Sequence, residues 1–348
     1  MFIIKKAKIS YTQIIALGTF TIILIGAILL TLPASSRSGT PTPFINALFT
    51  ATSATCVTGL VVYDTFTHWS TFGQIVIISL IQIGGIGFMT VIALFSLFLG
   101  RKIGLRERRL LMESANTMRI GGIVLLVKKI LLGTLIFESV GALLLTIRFY
   151  PEIGLKEGLY NGIFHSISAF CNAGFDIMGK YGQFTSLTRY SDDIIVNLTI
   201  MSLIIIGGIG FIVWDDIIKN LFNFKKYQLH TKIVLTTTAV LIFVGAAIFF
   251  ITERNLTMSN MGLRERILAS LFQSVTPRTA GFNTIDIANL SESGSLLTIL
   301  LMIVGGSPGS TAGGIKTTTI VVLLLGAISS SKGMTDLSIF KRRLEDNA

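Results

Sequence analysis

From Ser293 to Ser331 the chain runs 39 residues with one charged side chain, Lys316. Tyr11–Leu32, Thr71–Gly100, Ile194–Trp214 and Ile233–Ile251 carry none over 22, 30, 21 and 19 residues, and Ile130–Ile147 is interrupted only by Glu138. A helix of roughly 20 apolar residues crosses the hydrocarbon core of a bilayer, so these segments are six candidate spans. Only 14% of the 348 residues are charged and the mean hydropathy is +0.74, whereas soluble domains carry about a quarter charged residues. That argues against a soluble enzyme of one or two domains and predicts an all-α polytopic membrane protein in a lipid bilayer. Two cysteines without a CxxC pair give no disulfide scaffold, and His68, His165 and His230 are too scattered to form a metal-ligand cluster.

The net charge of +11 comes from 29 Lys+Arg against 18 Asp+Glu. In so apolar a chain it marks cytoplasmic loops, not a nucleic-acid partner. With the N-terminus inside, the inner connections hold 19 basic residues and the outer ones 9, while Lys316 lies within a span. Both termini are therefore expected on the cytoplasmic side of the cell membrane. Lys5, Lys6 and Lys8 precede the first span without a small-residue cleavage site, so that span reads as an anchor.

Self-comparison shows one unit used three times. Phe44–Leu60, Leu159–Phe175 and Ile267–Phe282 each hold an apolar stretch, a triplet (Ala47-Leu-Phe, Gly162-Ile-Phe, Ser270-Leu-Phe) and a short polar run ending in Gly59, Gly174 or Gly281. The third copy is offset by one residue between triplet and glycine. A second landmark follows 25, 33 and 24 residues later: Gly84-Gly85-Ile86-Gly87-Phe88, its identical repeat at Gly207–Phe211, and the glycine-rich stretch from Gly305. The expected organisation is three span–loop–span units, 1–100, 101–222 and 223–331, followed by a cytoplasmic segment, 332–348.

The loop of each unit is too short to cross. It is expected to enter as a half-helix and return as extended chain, which survives at membrane depth only when buried in protein or lining water. A half-helix entering from outside aims its carbonyl end at the bilayer centre, where its dipole attracts a cation. The glycine allows positive φ in the returning chain, and rings of carbonyls can replace the hydration shell of K+. Cys56–Gly59 and Asn172–Gly174 contain no acid, which fits a carbonyl filter and not a carboxylate one.

With these motifs the chain resembles the Trk/Ktr/HKT superfamily of potassium transporters, and within it the bacterial Ktr-type pore subunits. The resemblance covers essentially the whole chain, and Val304–Thr319 is its most specific piece. It implies filter segments at Thr55, Cys56, Val57, Thr58 and Gly59, at Cys171, Asn172, Ala173 and Gly174, and at Thr279, Ala280 and Gly281. It implies an intramembrane gate loop at Gly305, Gly306, Ser307, Gly309, Ser310, Thr311, Gly313, Gly314 and Lys316. K+ is then the transported ion, with or without Na+, and no organic cofactor is expected. The resemblance further implies a homodimer, a cytosolic nucleotide-binding ring as regulatory partner, and a fourth unit. That unit is either lost by truncation or supplied by another chain, a threefold ring ranking third because the glycine intervals of 115 and 107 residues are unequal, and without the fourth unit K+-selective flux is not expected.

Each feature has a plainer reading. Gly84, Gly85, Gly207 and Gly208 either permit close helix packing or form a hinge, the first being the commoner use. Lys316 is either a movable plug or the partner of Glu138. Arg278 reads as a structural donor to backbone carbonyls, Cys56 and Cys171 as small buried residues behind the filter, and His165 as a packed polar group. Asp64 and Asp176 either concentrate cations at the mouth or are solvated loop acids. Arg101–Arg109 offers a basic surface to an acidic cytosolic partner. The competing functions are a non-conducting structural subunit and an intramembrane hydrolase using Ser310 and Lys316. The hydrolase does not account for the threefold repeat, Ile315 between the last glycine and Lys316 spoils a phosphate-binding loop, and the structural subunit stays open because of the missing unit.

Overall fold

The computed structural model describes residues 10–87, 90–93, 104–114, 122–221 and 223–332, with the backbone of 338–339 and 342–343. The architecture is helical. In chain order the helices are α1 (Tyr11–Thr31), α2 (Phe44–Thr55), α3 (Thr65–His68), α4 (Thr71–Ile86), α5 (Leu105–Ser114), α6 (Ile123–Phe170) and α7 (Ile194–Gly208). They continue with α8 (Phe211–Asn220), α9 (Leu229–Thr252), α10 (Leu263–Val275), α11 (Glu292–Ile303) and α12 (Thr317–Ser331). Two-residue strands at Ser338–Ile339 and Arg342–Arg343 pair near the C-terminus. Lys5, Lys6, Lys8, residues 94–103 and most of 332–348 lie outside the described residues.

Helix ends follow local chemistry. Ser10 and Gln13 form a reciprocal capping box at the start of α1, and α1 stops just before Leu32-Pro33. Ser70, Asp193 and Ser291 cap α4, α7 and α11 through their side chains. What reads as one helix in α6 is two, because Gly154 sits at φ 80° and ψ 171° three residues after Pro151. Residues 155–170 are therefore the half-helix of the second unit, matching α2 and α10 in the others.

Among the described residues, three helices, α1, α6 and α9, are long and apolar enough to cross a membrane. The expected fourth span, Ile194–Trp214, is bent by 98° between α7 and α8. The second and sixth spans are also broken: α4 ends at Gly87, and α11 and α12 are separated by the glycine-rich loop. Large apolar side chains stand exposed along the long helices, among them Phe20, Leu135, Leu143, Val240 and Phe243. Such an exterior suits hydrocarbon. Unit 1 packs on unit 2 through α4 and α6, and unit 2 on unit 3 through α7 and α10.

Glycine sets the closeness of these contacts. A Cβ on Gly84 would overlap the Thr55 carbonyl oxygen, and one on Gly207 the Phe170 carbonyl oxygen. A Cβ on Gly85 would lie 2.6 Å from Cys171 Sγ. These glycines let the second helix of a unit press against the end of a half-helix, the packing alternative. The breaks fall instead at Gly87 (φ 90°) and Gly210 (φ 97°), the third glycine of the repeated pentapeptide.

Candidate functional site

The three half-helices end in the same way. Cys56 and Cys171 are the C-caps of α2 and α6, and the next residues, Val57 (φ 48°) and Asn172 (φ 56°), are left-handed. Val57 N–H donates to Ala54 O at 3.2 Å and Thr58 N–H to Ser53 O at 2.8 Å. Asn172 and Ala173 repeat the pair on Ala169 O and Ser168 O at 3.1 and 2.8 Å. This is a Schellman end, which usually takes glycine at the left-handed position. Valine there is strained. In the third copy Thr279 (φ 72°) is left-handed and Ala280 and Gly281 both donate to Thr276 O, which is the one-residue offset visible in the sequence.

Two residues past each left-handed position stand Gly59, Gly174 and Gly281, with φ of 81°, 70° and 87°. A Cβ on Gly59 would lie 2.8 Å from Ala173 O, and one on Gly174 would lie 2.9 Å from Gly281 Cα and overlap Ala280 O. The three returning segments thus converge. Val57, Thr58, Asn172, Ala173, Ala280 and Gly281 donate their N–H groups back to the ends of the half-helices, while none of the described hydrogen bonds is accepted by the carbonyls of 57–59, 172–174 or 279–281. Free carbonyls at the negative ends of three helices can hold a cation without a carboxylate.

Behind these turns the copies differ. Ser168 Oγ donates to Phe175 O at 2.7 Å and Thr276 Oγ1 to Phe282 O at 2.6 Å, each fixing the carbonyl after the glycine. Ser53, the counterpart of Ser168, has a buried hydroxyl without a partner among the described residues. Cys171 is fully buried against Gly85, with its thiol 3.8 Å from Gln82 Oε1. Cys56 is exposed, contrary to expectation. Cys171 is covered by the second helix of the preceding unit, and among the described residues no such helix precedes unit 1.

The glycine-rich loop is docked, not free. The break after α7 leaves carbonyls without helical partners, and the loop supplies donors: Ser307 N–H to Gly208 O at 2.9 Å and Thr311 N–H to Gly207 O at 3.2 Å. Gly309 O accepts from Phe211 N–H, the first amide of α8, at 2.8 Å. Thr311 Oγ1 donates to Phe170 O at 2.9 Å. Gly314 lies against the third returning segment, where a Cβ would meet Thr279 Cγ2 at 3.6 Å. The loop closes on itself through Gly305 N–H to Ile315 O and Gly306 N–H to Gly313 O, at 3.0 and 3.1 Å.

Several expectations are corrected. Lys316 does not pair with Glu138: its ammonium donates to Ala312 O at 2.8 Å, while the Glu138 carboxylate accepts from Gln82 Nε2 at 3.1 Å. Ser310 Oγ donates to Ser307 O at 2.6 Å, so Ser310 and Lys316 each bind loop backbone and form no nucleophile–base pair. Arg278 is buried beside Asn172, Gly208 and Gly306, but its Nε finds no carbonyl. Asp64 is not a solvated acid: it is buried, and its Oδ1 accepts from Phe66 and Thr67 N–H at 3.1 and 2.8 Å. It also lines, with Asp176 and the three glycines, a cavity of about 120 Å³ at the mouth of the converging turns. Burial, and secondarily Asp64, push the Asp176 carboxyl up to about 6.

His165 is packed as expected. Its Nδ1 lies 2.8 Å from Asn161 O and its Nε2 accepts from Ile177 N–H at 3.4 Å, which assigns the proton to Nδ1. For the breaks at Gly87 and Gly210 the sequence signal is the identical pentapeptide with three glycines. Ser168 is marked in the sequence only as the repeat counterpart of Ser53, and Thr276 only as the start of the third turn, neither for the bond it makes.

The TrkH family, described as cation transport protein, matches residues 6–347. The chain is 45% identical over 345 residues to Ktr system potassium uptake protein B of Bacillus subtilis, covering 99% of this chain and 76% of that protein. It is 44% identical over 305 residues to potassium/sodium uptake protein NtpJ of Enterococcus hirae, covering 86% of this chain and 66% of that one. The crystal structure of the potassium transporter TrkH from Vibrio parahaemolyticus shares the fold, with a TM-score of 0.71 at 17% identity over 98% of this chain and 67% of that one. The chain thus spans about two thirds to three quarters of these proteins. A single match across nearly its whole length settles its kinship: the chain belongs to the TrkH family of cation transport proteins.

Proposed function

We propose that this chain is the pore-forming part of a potassium uptake system, with Thr55–Gly59, Cys171–Gly174 and Thr279–Gly281 as filter segments. One observation carries the reading: three repeated turns fold back on the ends of their half-helices and converge on one another, with none of the described hydrogen bonds accepted by their carbonyls. K+ is the cargo, driven by the membrane potential, and the relative named for potassium/sodium uptake keeps Na+ as an accompanying ion in view. The filter mouth faces outward, both termini are cytoplasmic, and no organic cofactor or chemical step is involved. The open side at Cys56 is left for a fourth unit, in the same chain or in another.

The loop Gly305–Lys316 is the gate. Four hydrogen bonds tie it to unit 2, and at about 0.5–1.5 kcal/mol net each it does not swing away unaided. The lever is α8, whose first amide holds Gly309 and whose Asp215 pairs with Lys129 and Lys219. A cytosolic nucleotide-binding ring acting on a homodimer is the partner that would move it.

The test is K+ uptake by the full-length protein in cells lacking other uptake systems. Uptake that increases and loses its dependence on the partner when Ser307–Gly314 is deleted supports both assignments. A folded protein that moves no K+ favours a structural subunit.

A further inference from the structure

On the reading of the converging turns as a filter, the segment 179–187 crosses its mouth. It belongs to unit 2 but is fastened to the other two units. At one end Phe184 N–H donates to Asp64 Oδ2 of unit 1 at 3.0 Å, across 120 positions of chain. Gly179 sits so close to the same carboxylate that a Cβ there would overlap Asp64 Oδ1. At the other end Ser186 Oγ accepts from Asn283 N–H of unit 3 at 3.1 Å, and Leu187 N–H donates to Asn283 O at 2.9 Å.

The backbone between these fastenings is unusual. Phe184 and Ser186 have φ of 59° and 48°, and a left-handed phenylalanine persists only where its surroundings over-determine it. A buried carboxylate accepting three N–H groups is a strong enough partner, since hydrogen bonds to ionised groups exceed neutral ones. The Phe184 side chain is nevertheless 55% exposed, so it is not held there by packing. Phe184 and Asn283 are shared between the 120 Å³ cavity over the filter glycines and a wider groove of about 590 Å³ between the loops of units 2 and 3. They form the wall between the two.

We infer that 179–187 is a strap in which Phe184 limits the size of cation that reaches the filter mouth, and that Asp64 is its positioning residue. Removing the ring joins the cavity to the groove. Removing the Asp64 acceptor frees Phe184 to leave its left-handed conformation, with the same result. Asp64 also caps α3, so the informative variant is Asp64→Asn. It keeps a carbonyl oxygen for Phe66 and Thr67 and sets an amide NH2 opposite Phe184 N–H.

The experiment measures block of K+ uptake by external tetraethylammonium in the full-length protein, together with hydrogen exchange of 179–187. Phe184→Ala and Asp64→Asn should each raise sensitivity to the blocker about tenfold, several times more than they change the KM for K+. Asp176→Asn removes a carboxylate from the same cavity without touching the strap, so it should shift KM and leave the block constant nearly where it was. In Asp64→Asn the strap amides should exchange faster while those of α2 do not. If Asp64→Asn behaves like Asp176→Asn, or if strap exchange is unaltered, the positioning role is overturned. Weaker block in Phe184→Ala would make the ring a docking face and overturn the size limit. Failure of the unsubstituted protein to take up K+ would strike the transport reading and ion selection with it, while exchange still tests the hold of Asp64 on the strap.

Discussion

The turns that end the half-helices of units 1 and 2 have nearly the same geometry and very different surroundings. Both end a half-helix in a Schellman pair, both place a non-glycine residue and then a glycine at positive φ. Yet Cys171 is sealed by Gly85 and Gln82 while Cys56 is exposed, and Ser168 is bonded while Ser53 is not. The turn is therefore written in the residues of its own unit, whereas the seal over Cys171 is supplied by the unit before it. Among the described residues, the first copy has the same turn without that seal.

The largest test of this difference is chemical. A thiol reagent reaches a sealed cysteine only through local opening, and an opening cost of about 3 kcal/mol slows labelling by roughly a hundredfold. A maleimide should therefore modify Cys56 in the detergent-solubilised chain at least that much faster than Cys171. Gly85→Ala presses on Cys171 Sγ at 2.6 Å and should narrow the gap by loosening the seal. Equal rates would abolish the contrast. Protection of Cys56 in native membranes alone would sharpen it by revealing a covering segment.

Glycine replacement comes next. A serine at Gly174 meets Ala280 O and Gly281 of the neighbouring copy, whereas a serine at Gly59 meets only Ala173 O within 3 Å. A left-handed non-glycine residue costs about 1–2 kcal/mol, and displaced carbonyls add to it, so preference for K+ over Na+ should fall about tenfold or more. Gly174→Ser should lose more than Gly59→Ser. Ion-competition uptake reads both, and unaltered preference in the pair would remove the carbonyl-filter assignment.

Much of this was legible in advance, for physical reasons. Period and length gave the helices, because a bilayer admits few alternatives, and the recurring glycines located the turns. What stayed hidden depended on contacts between units. Nothing in the sequence distinguishes Cys56 from Cys171, since the difference lies in Gln82 and Gly85 of another helix. The Lys316–Glu138 pairing failed because nearby backbone carbonyls and Gln82 satisfy the two groups separately. The glycine-rich loop was visible as a broken helix, but its docking on Gly207 and Gly208 was not, because an orphaned carbonyl leaves no mark in a sequence.

A smaller effect concerns the serines. Ser168→Ala leaves the Phe175 carbonyl buried without its donor, which costs about 1–3 kcal/mol. Ser53→Ala removes a hydroxyl that has no partner and should stay within about 0.5 kcal/mol of the parent. Thermal unfolding of the purified protein reads both, and equal losses would mean that unit 1 is tied like unit 2 after all.

The smallest effect lies at the shared mouth and varies with pH. Asp176 titrates near 6 because burial, and next the neighbouring Asp64, disfavour its charged form. Above that value the carboxylate is ionised and draws cations toward the glycines; below it the charge is lost. Apparent affinity for K+ should therefore weaken about twofold as external pH falls from 7 to 5, more at low ionic strength than at high, where screening shortens its reach. Asp176→Asn should hold the weaker affinity across the whole range and flatten the profile. The Gly59 and Gly174 turns line the same cavity as Asp176, so this term acts on both copies together. A pH profile that survives Asp176→Asn would move the titrating group elsewhere.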